Sequence, residues 1–276
     1  MAALSDVSTP TPTPAAPAPF QARRAFRLLR EVIRNPDDTD RVFEFFEAVG
    51  GDDGARHFET FLAEPEGRRL LAARPCLVEV LADEAYLAGL PEDSLGHWYL
   101  RFMRARGFAP SGLLEARERG VGKRQEADAE HEWFYDRLNV MHDLWHVLTG
   151  YGTDELGEAA LVAFSEAQIP NRSFPILLVA AAWMGPKSWS LAWPRYLARA
   201  YRRGRRAKLL TAAPFEELLP LPVPVVRERL GIGSAALWHP GGIRAGSLQH
   251  AARIRELPTS SPVAASKAEA SQDAVA

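Results

Sequence analysis

Cysteine is nearly missing from this chain: Cys76 is the only one in 276 residues. An intrachain disulfide is therefore excluded, and so is a cluster of thiolate metal ligands. The composition suits a reducing compartment. A dominant sign of charge is missing too. Acidic and basic residues almost cancel, to a formal net charge of -2, so no global field draws the chain to nucleic acid and no such partner is expected. Long apolar runs are scarce. The most apolar stretch, FPILLVAAAWM from Phe174 to Met184, falls well short of the ~20 residues that a bilayer-spanning helix needs. There is no strand-period alternation of any length and no internal repeat. What remains is an all-α chain: a single multi-helix domain over residues 22–231, between two tails expected to be disordered.

The first tail, residues 1–21, is rich in Pro, Ala and Thr. Pro10, Pro12, Pro14, Pro17 and Pro19 interrupt it, so it has no apolar core of the kind a secretory signal carries. Arg23, Arg24, Arg27 and Arg30 follow. A transit peptide is conceivable there, but a disordered arm is the better reading. Residues 232–276 drift in composition and end Ala/Ser/Lys-rich, as an irregular to disordered tail does.

Between the tails, apolar spacing predicts a helix over Ala22 to Arg34 with Phe26, Leu29, Val32 and Ile33 inward. A second helix, with Val42, Phe43, Phe46 and Val49 inward, ends at Gly50-Gly51. Asp52 to Ala82 reads as two or three short helices, in which His57 is a lone core or surface histidine. Pro91 to Ser94 start a helix carrying Leu95, Trp98, Tyr99, Phe102 and Met103, closed by Gly107 and Pro110. The longest helix is expected over Glu126 to Thr149. His131 and His142 share one angular face of it, yet lie about 16 Å apart along the axis, so His131 is assigned to solvent or a partner. Further helices hold Phe174 to Met184, then Trp189, Trp193 and Leu197. That last helix runs into Arg195, Arg199, Arg202, Arg203, Arg205, Arg206 and Lys208, a solvated face or a contact for anionic lipid headgroups. Leu219 to Pro224 interrupt, and Val225 to Leu230 close the fold.

The chemistry concentrates in MHDLWHVLTGYGTDELGE, Met141 to Glu158. His142 and His146 are four apart, so on a helix both rings project from one face and can share a metal ion. Gly150 and Gly152 interrupt the helix. Thr153 is expected to cap the next one, which brings Glu158 back towards the histidines. Asp143 is a third ligand or an outer group that orients a histidine. A zinc protease of the HExxH class would need glutamate at position 143 and is not expected. Two imidazoles and a carboxylate suit Zn, Fe or Mn, including the facial set that leaves sites open on Fe(II).

The pattern HDxxH, eleven residues, then E resembles the motif of the Coq-four family of coenzyme Q (ubiquinone) biosynthesis proteins. NPDDTDRVFEFFEAVGG, PEDSLGHWYLRFM and RRGRRAKLL are similar to that family as well, so the resemblance runs from about Arg24 to Gly231. It implies a helical, usually dimeric protein, held peripherally at a membrane, with a divalent metal on His142, Asp143, His146 and Glu158. It implies action on a polyprenylated hydroxybenzoate of the ubiquinone pathway, with loss of the C1 carboxylate and hydroxylation of that carbon. It also implies a second role, organising the other biosynthesis enzymes. That role gives the alternative of a non-catalytic, prenyl-lipid-binding scaffold. Such a protein would sit on the cytoplasmic face of the inner membrane in a bacterium, or on the matrix side in a mitochondrion. A hydrolase using metal-bound hydroxide is a third reading.

Overall fold

The computed structural model describes residues 19–35, 38–112, 115–116, 119, 129–184 and 192–232. The expected N-terminal arm up to residue 18 and the tail from residue 233, with Trp189 and the first residues of the expected long helix, lie outside them. Among the described residues there are thirteen α-helices, one 3-10 turn and no strand. They are α1 (Ala22–Arg34), α2 (Thr39–Val49), α3 (Asp53–Ala63), α4 (Pro65–Ala73), α5 (Leu77–Ala82), α6 (Glu84–Gly89) and α7 (Leu95–Arg106). Then come α8 (Ala129–Thr149), α9 (Glu155–Gln168), α10 (Ser173–Met184), α11 (Ala192–Arg206), the 3-10 turn Leu210–Ala212, α12 (Phe215–Leu218) and α13 (Val223–Leu230).

The main core gathers residues of α5 to α9 and α11 to α13, with Tyr99, Phe102, Met141, Leu144, Phe164 and Phe215 almost wholly enclosed. α9 and α11 run against each other, and the Gln168 side chain pins the pair by donating to the Gly204 carbonyl at 2.6 Å. Ser94 caps α7, its Oγ accepting the His97 N–H at 3.2 Å. The backbone N–H groups of Leu95 and Gly96 go to the carbonyls of Leu221 and Leu219, both at 2.8 Å. Orphan donors at a helix start are thus satisfied by the segment that leads into α13, which fixes α7 against the end of the fold.

Two smaller cores sit apart. Phe58, Phe61, Leu70 and Phe134 make an aromatic cluster where α3 and α4 meet α8. His131 joins it, its ring 4.1 Å from that of Phe58. The assignment to solvent is thus met only in part: the ring is half-buried, with one side packed on Phe58 of α3. Ala25, Leu28, Val32, Phe45, Ala48 and Val49 form the other core, between α1 and α2 and against Ile176 and Leu177 of α10. Here the inward faces differ from expectation. Phe26 is 64% exposed, and Val42, Phe43 and Phe46 are only half-buried. Both helices carry apolar residues on more than one side, and the partner helix selected the side with the smaller Ala25 and Ala48.

Other differences are at boundaries. α6 and α12 are short helices with no apolar period to announce them. α13 starts at Val223, two residues early, because Pro224 occupies its first turn, where a missing N–H costs nothing.

Candidate metal centre

Helix α8 carries three of the four expected ligands. Asp143 and His146 are buried and His142 is half-buried. The end of α8 is held firmly. Arg227 donates from Nε to the Leu148 carbonyl at 2.7 Å and from Nη2 to that of Val147 at 3.1 Å; Arg203 donates to Thr149 at 3.0 Å. Two cations at a helix C-terminus satisfy its last carbonyls and oppose its dipole. Burial lowers the pKa of Arg227 to about 10, and the charge of Arg203 adds to that. Arg203 also lies 5.0 Å over the Tyr151 ring.

The chain then turns back. Gly150 takes a left-handed φ of 76°, and Gly157 packs so closely on Gly152 that a Cβ would fall on the Gly152 carbonyl oxygen. The N-cap of α9 is Asp154, not Thr153: its carboxylate accepts the N–H groups of Leu156 at 3.1 Å and Gly157 at 3.0 Å. Thr153 is used otherwise, its hydroxyl accepting from Arg106 Nε at 2.9 Å. One turn into α9, Glu158 faces the histidines.

The four side chains lie near one another, though the compact donor group is His142, Asp143 and His146 and does not include Glu158. Glu158 Oε1 lies 3.3 Å from His146 Nε2, and Oε2 lies 3.9 Å from His142 Nε2. Asp143 Oδ1 lies 3.5 Å from His142 Nδ1. The two imidazoles are 4.8 Å apart and nearly perpendicular. His142, Asp143 and His146 each offer a ligand atom within 4.8 Å of the others. Donors about 2.1 Å from one tetrahedral ion would stand roughly 3.4 Å apart, so this spacing admits one.

His146 supplies the stronger argument. Its Nδ1 lies 3.1 Å from the Tyr151 carbonyl. A carbonyl can only accept, so Nδ1 carries a proton, and in the neutral ring Nε2 then presents a lone pair. That Nε2 is enclosed, has no hydrogen-bond partner and faces the Glu158 carboxylate. A proton on Nε2, making an ion pair with Glu158, or a metal ion between the two groups meets that arrangement, and the donor set fits a metal ion.

Burial pushes the Glu158 carboxyl up, but His146, His142 and Arg106 outweigh it and the pKa is lowered. Burial pushes His142 down, yet its contact with Asp143 and the charges of Glu158 and Asp143 leave it raised. Tyr99 has an enclosed hydroxyl without a partner; burial, and then the charge of Asp143, raise its pKa. Phe102 stacks on His146 with ring centroids 5.6 Å apart.

Arg106, Tyr99, Phe102 and Tyr151 are the neighbours that sequence reasoning did not assign to the site. Phe102 and Arg106 are four apart on α7, but nothing in the sequence says that α7 packs on α8.

An apolar groove of about 350 Å³ lies between α9, α10 and α11, lined by Ala163, Leu178, Leu197, Ala198, Tyr201 and Arg202. None of the four metal-site residues lines it. Ala163 is five residues beyond Glu158, about 140° round the helix, so groove and donors use different sides of α9. On α11, Arg195, Arg199, Arg202, Arg205 and Arg206 are exposed, whereas Arg203 turns inward to α8. No helix among the described residues is long and apolar enough to cross a membrane. Cys76 is free and exposed.

Residues 28–236 match the family model described as Coenzyme Q (ubiquinone) biosynthesis protein Coq4. The chain is 31% identical over 210 residues to the ubiquinone biosynthesis protein COQ4 homolog, mitochondrial, of Rattus norvegicus, covering 72% of this chain and 73% of that one. It is 28% identical over 205 residues to the ubiquinone biosynthesis protein COQ4, mitochondrial, of Podospora anserina, where it spans 64% of the relative's length. A crystal structure from Nostoc punctiforme PCC 73102, named for ubiquinone biosynthesis, superposes with a TM-score of 0.57 at 26% identity, covering 78% of this chain and all of that one. Fold, motif spacing and these similarities agree, and the chain belongs to the Coq4 family of coenzyme Q (ubiquinone) biosynthesis proteins.

Proposed function

We propose that this protein is a metal-dependent oxidative decarboxylase of ubiquinone biosynthesis. It would take a polyprenylated hydroxybenzoate, break the bond between C1 and the carboxylate with release of carbon dioxide, and form a C1–oxygen bond with one atom of dioxygen, the other atom leaving as water with two electrons from an external reductant. The observation that carries the reading is the unpartnered Nε2 of His146 set against Glu158 in a chain of this family.

His142, Asp143, His146 and Glu158 would hold the divalent ion, Zn, Fe or Mn. Such an ion stabilises negative charge that develops at C1 and, when redox-active, supports chemistry with dioxygen. The Tyr151 carbonyl keeps the proton on Nδ1 of His146, which leaves Nε2 to the centre. Phe102 covers one side of that ring and keeps water from it. The groove between α9 and α11 suits an apolar prenyl chain. The exposed arginines of α11, with the exposed Tyr201 on the same helix, suit the anionic surface of a membrane in which such a substrate resides. Peripheral attachment, at the matrix side in mitochondria or the cytoplasmic face in bacteria, and a homodimer complete the proposal.

The test is turnover of a prenylated hydroxybenzoate by purified protein loaded with one metal at a time under labelled dioxygen, with a two-electron reductant supplied. Carbon dioxide and labelled phenol are expected with at least one metal. None under any loading would sink the enzyme. The placement of the groove on a different side of α9 from the donors favours a second reading, a prenyl-lipid-binding scaffold for the other biosynthesis enzymes. In that case Glu158→Gln would leave quinone production largely intact in cells.

A further inference from the structure

Arg106 closes α7 with its guanidinium 4.2 Å over the Phe102 ring, the same ring that stacks on His146. Nε donates to Thr153 Oγ1 at 2.9 Å and Nη1 to the Phe102 carbonyl at 3.3 Å. Nη2 and the second hydrogen of Nη1 meet no acceptor among the described residues, and no carboxylate there stands within 4.0 Å of this arginine. The group is nevertheless half-buried. Burial lowers its pKa to about 10, against the charges of Asp143, Glu158 and Asp154. Two hydrogen bonds and the ring hold one side of the group, while its other N–H groups are not among the enclosed unpartnered atoms and so face water. That edge is fixed in place and open to a ligand that replaces its water.

Charge counting says which kind. Asp143 and Glu158 carry two negative charges, which a divalent ion cancels. The Asp154 carboxylate is exposed and already accepts two N–H groups at the start of α9. Arg106 is then the surplus positive charge beside the occupied centre. A planar fork with free N–H groups on adjacent nitrogens matches a carboxylate.

We propose that Arg106 is the anion-binding residue of this site and that it takes the carboxylate of a monoanionic aromatic acid lying over the metal centre. The choice of an aromatic acid rests on the proposed function; the anion site itself does not. Pairing with the carboxylate holds the ground state and acts in binding more than in bond breaking, so its loss raises KM more than it lowers kcat.

The experiment uses full-length zinc-loaded protein, with 3-geranyl-4-hydroxybenzoate and its methyl ester as probes and tryptophan fluorescence as readout. The wild type is expected to bind the acid at least ~10-fold more tightly than the ester, the order of a charge-assisted hydrogen bond pair. Arg106→Gln should abolish that preference and leave ester affinity and zinc content unchanged, while Arg106→Lys keeps part of it. Thr153→Val, which removes only the contact to the turn, should keep the full preference. An unchanged acid-to-ester ratio in Arg106→Gln overturns the proposal. So does loss of the ratio in Thr153→Val, or loss of zinc in Arg106→Gln, since either makes the arginine a brace for the turn. Because binding is read without turnover, a failed decarboxylation assay with an intact ratio removes the enzyme reading and leaves the anion site standing.

Discussion

His57 and His146 are both buried, and each sets one ring nitrogen against a backbone carbonyl, Pro170 at 2.6 Å and Tyr151 at 3.1 Å. They differ in what the other nitrogen meets. At His57 no carboxylate stands at ion-pair distance among the described residues, and Asp53 and Arg56 pull its pKa in opposite directions. At His146 the second nitrogen is enclosed and confronts Glu158, with His142 and Asp143 beside it. Burial and one satisfied nitrogen therefore do not distinguish a structural histidine from a ligand. An unsatisfied second nitrogen facing a carboxylate is what marks His146 as the candidate ligand.

Substituting each histidine is the sharpest way to break that contrast. His146→Ala should weaken metal binding by more than the roughly 10–100-fold that loss of an outer partner costs, and His57→Ala should leave it unchanged. Elemental analysis after dialysis decides, and equal metal in both variants would remove the contrast. Asp143→Asn is expected to weaken metal binding at least about tenfold, read by competition with a chelator. Gly157→Ala places a methyl on the Gly152 carbonyl and shifts the turn before Glu158. A loss of about 1–3 kcal/mol in denaturant unfolding is expected, with weaker metal binding, whereas the same change at exposed Gly89, which has open space for a Cβ, should cost neither. His57→Ala leaves the Pro170 carbonyl without its partner, for about 1–3 kcal/mol.

The smallest effect is in pH. Burial lowers the His57 pKa below its ordinary 6.5. As pH falls through about 6.5 the unfolded chain takes up the proton first, so stability drops until folded His57 protonates at its lower value. His142 in metal-free protein has the opposite sign: its pKa is raised, so its contribution is present below the ordinary value and is lost as pH rises through the raised one. Urea midpoints from pH 7.5 to 5, for His57→Gln and His142→Gln against the wild type, should separate the two slopes. Parallel curves would contradict both environments.

Much of this was legible in the chain. The four-residue step from His142 to His146 and the glycines after Thr149 specify a helical hairpin, because both depend on local geometry. The inward faces of α1 and α2 were not legible. Phe26 and Phe43 look like core residues by period, and only the partner helix shows that Ala25 and Phe45 point in. His131 shows the same limit: its angle on α8 follows from sequence, but its packing against Phe58 depends on where α3 docks.

The sequence by itself determined the all-helical character, the helix–turn–helix around residues 141–158 and the donor types, since these follow from spacing and side-chain chemistry within one short segment. Only the tertiary structure decided that Arg106 and Phe102 border the donors, that Arg203 and Arg227 lock the end of α8, and that the apolar groove takes another side of α9. Those facts depend on contacts between residues far apart in the chain, which come close only when distant helices bury their apolar faces together.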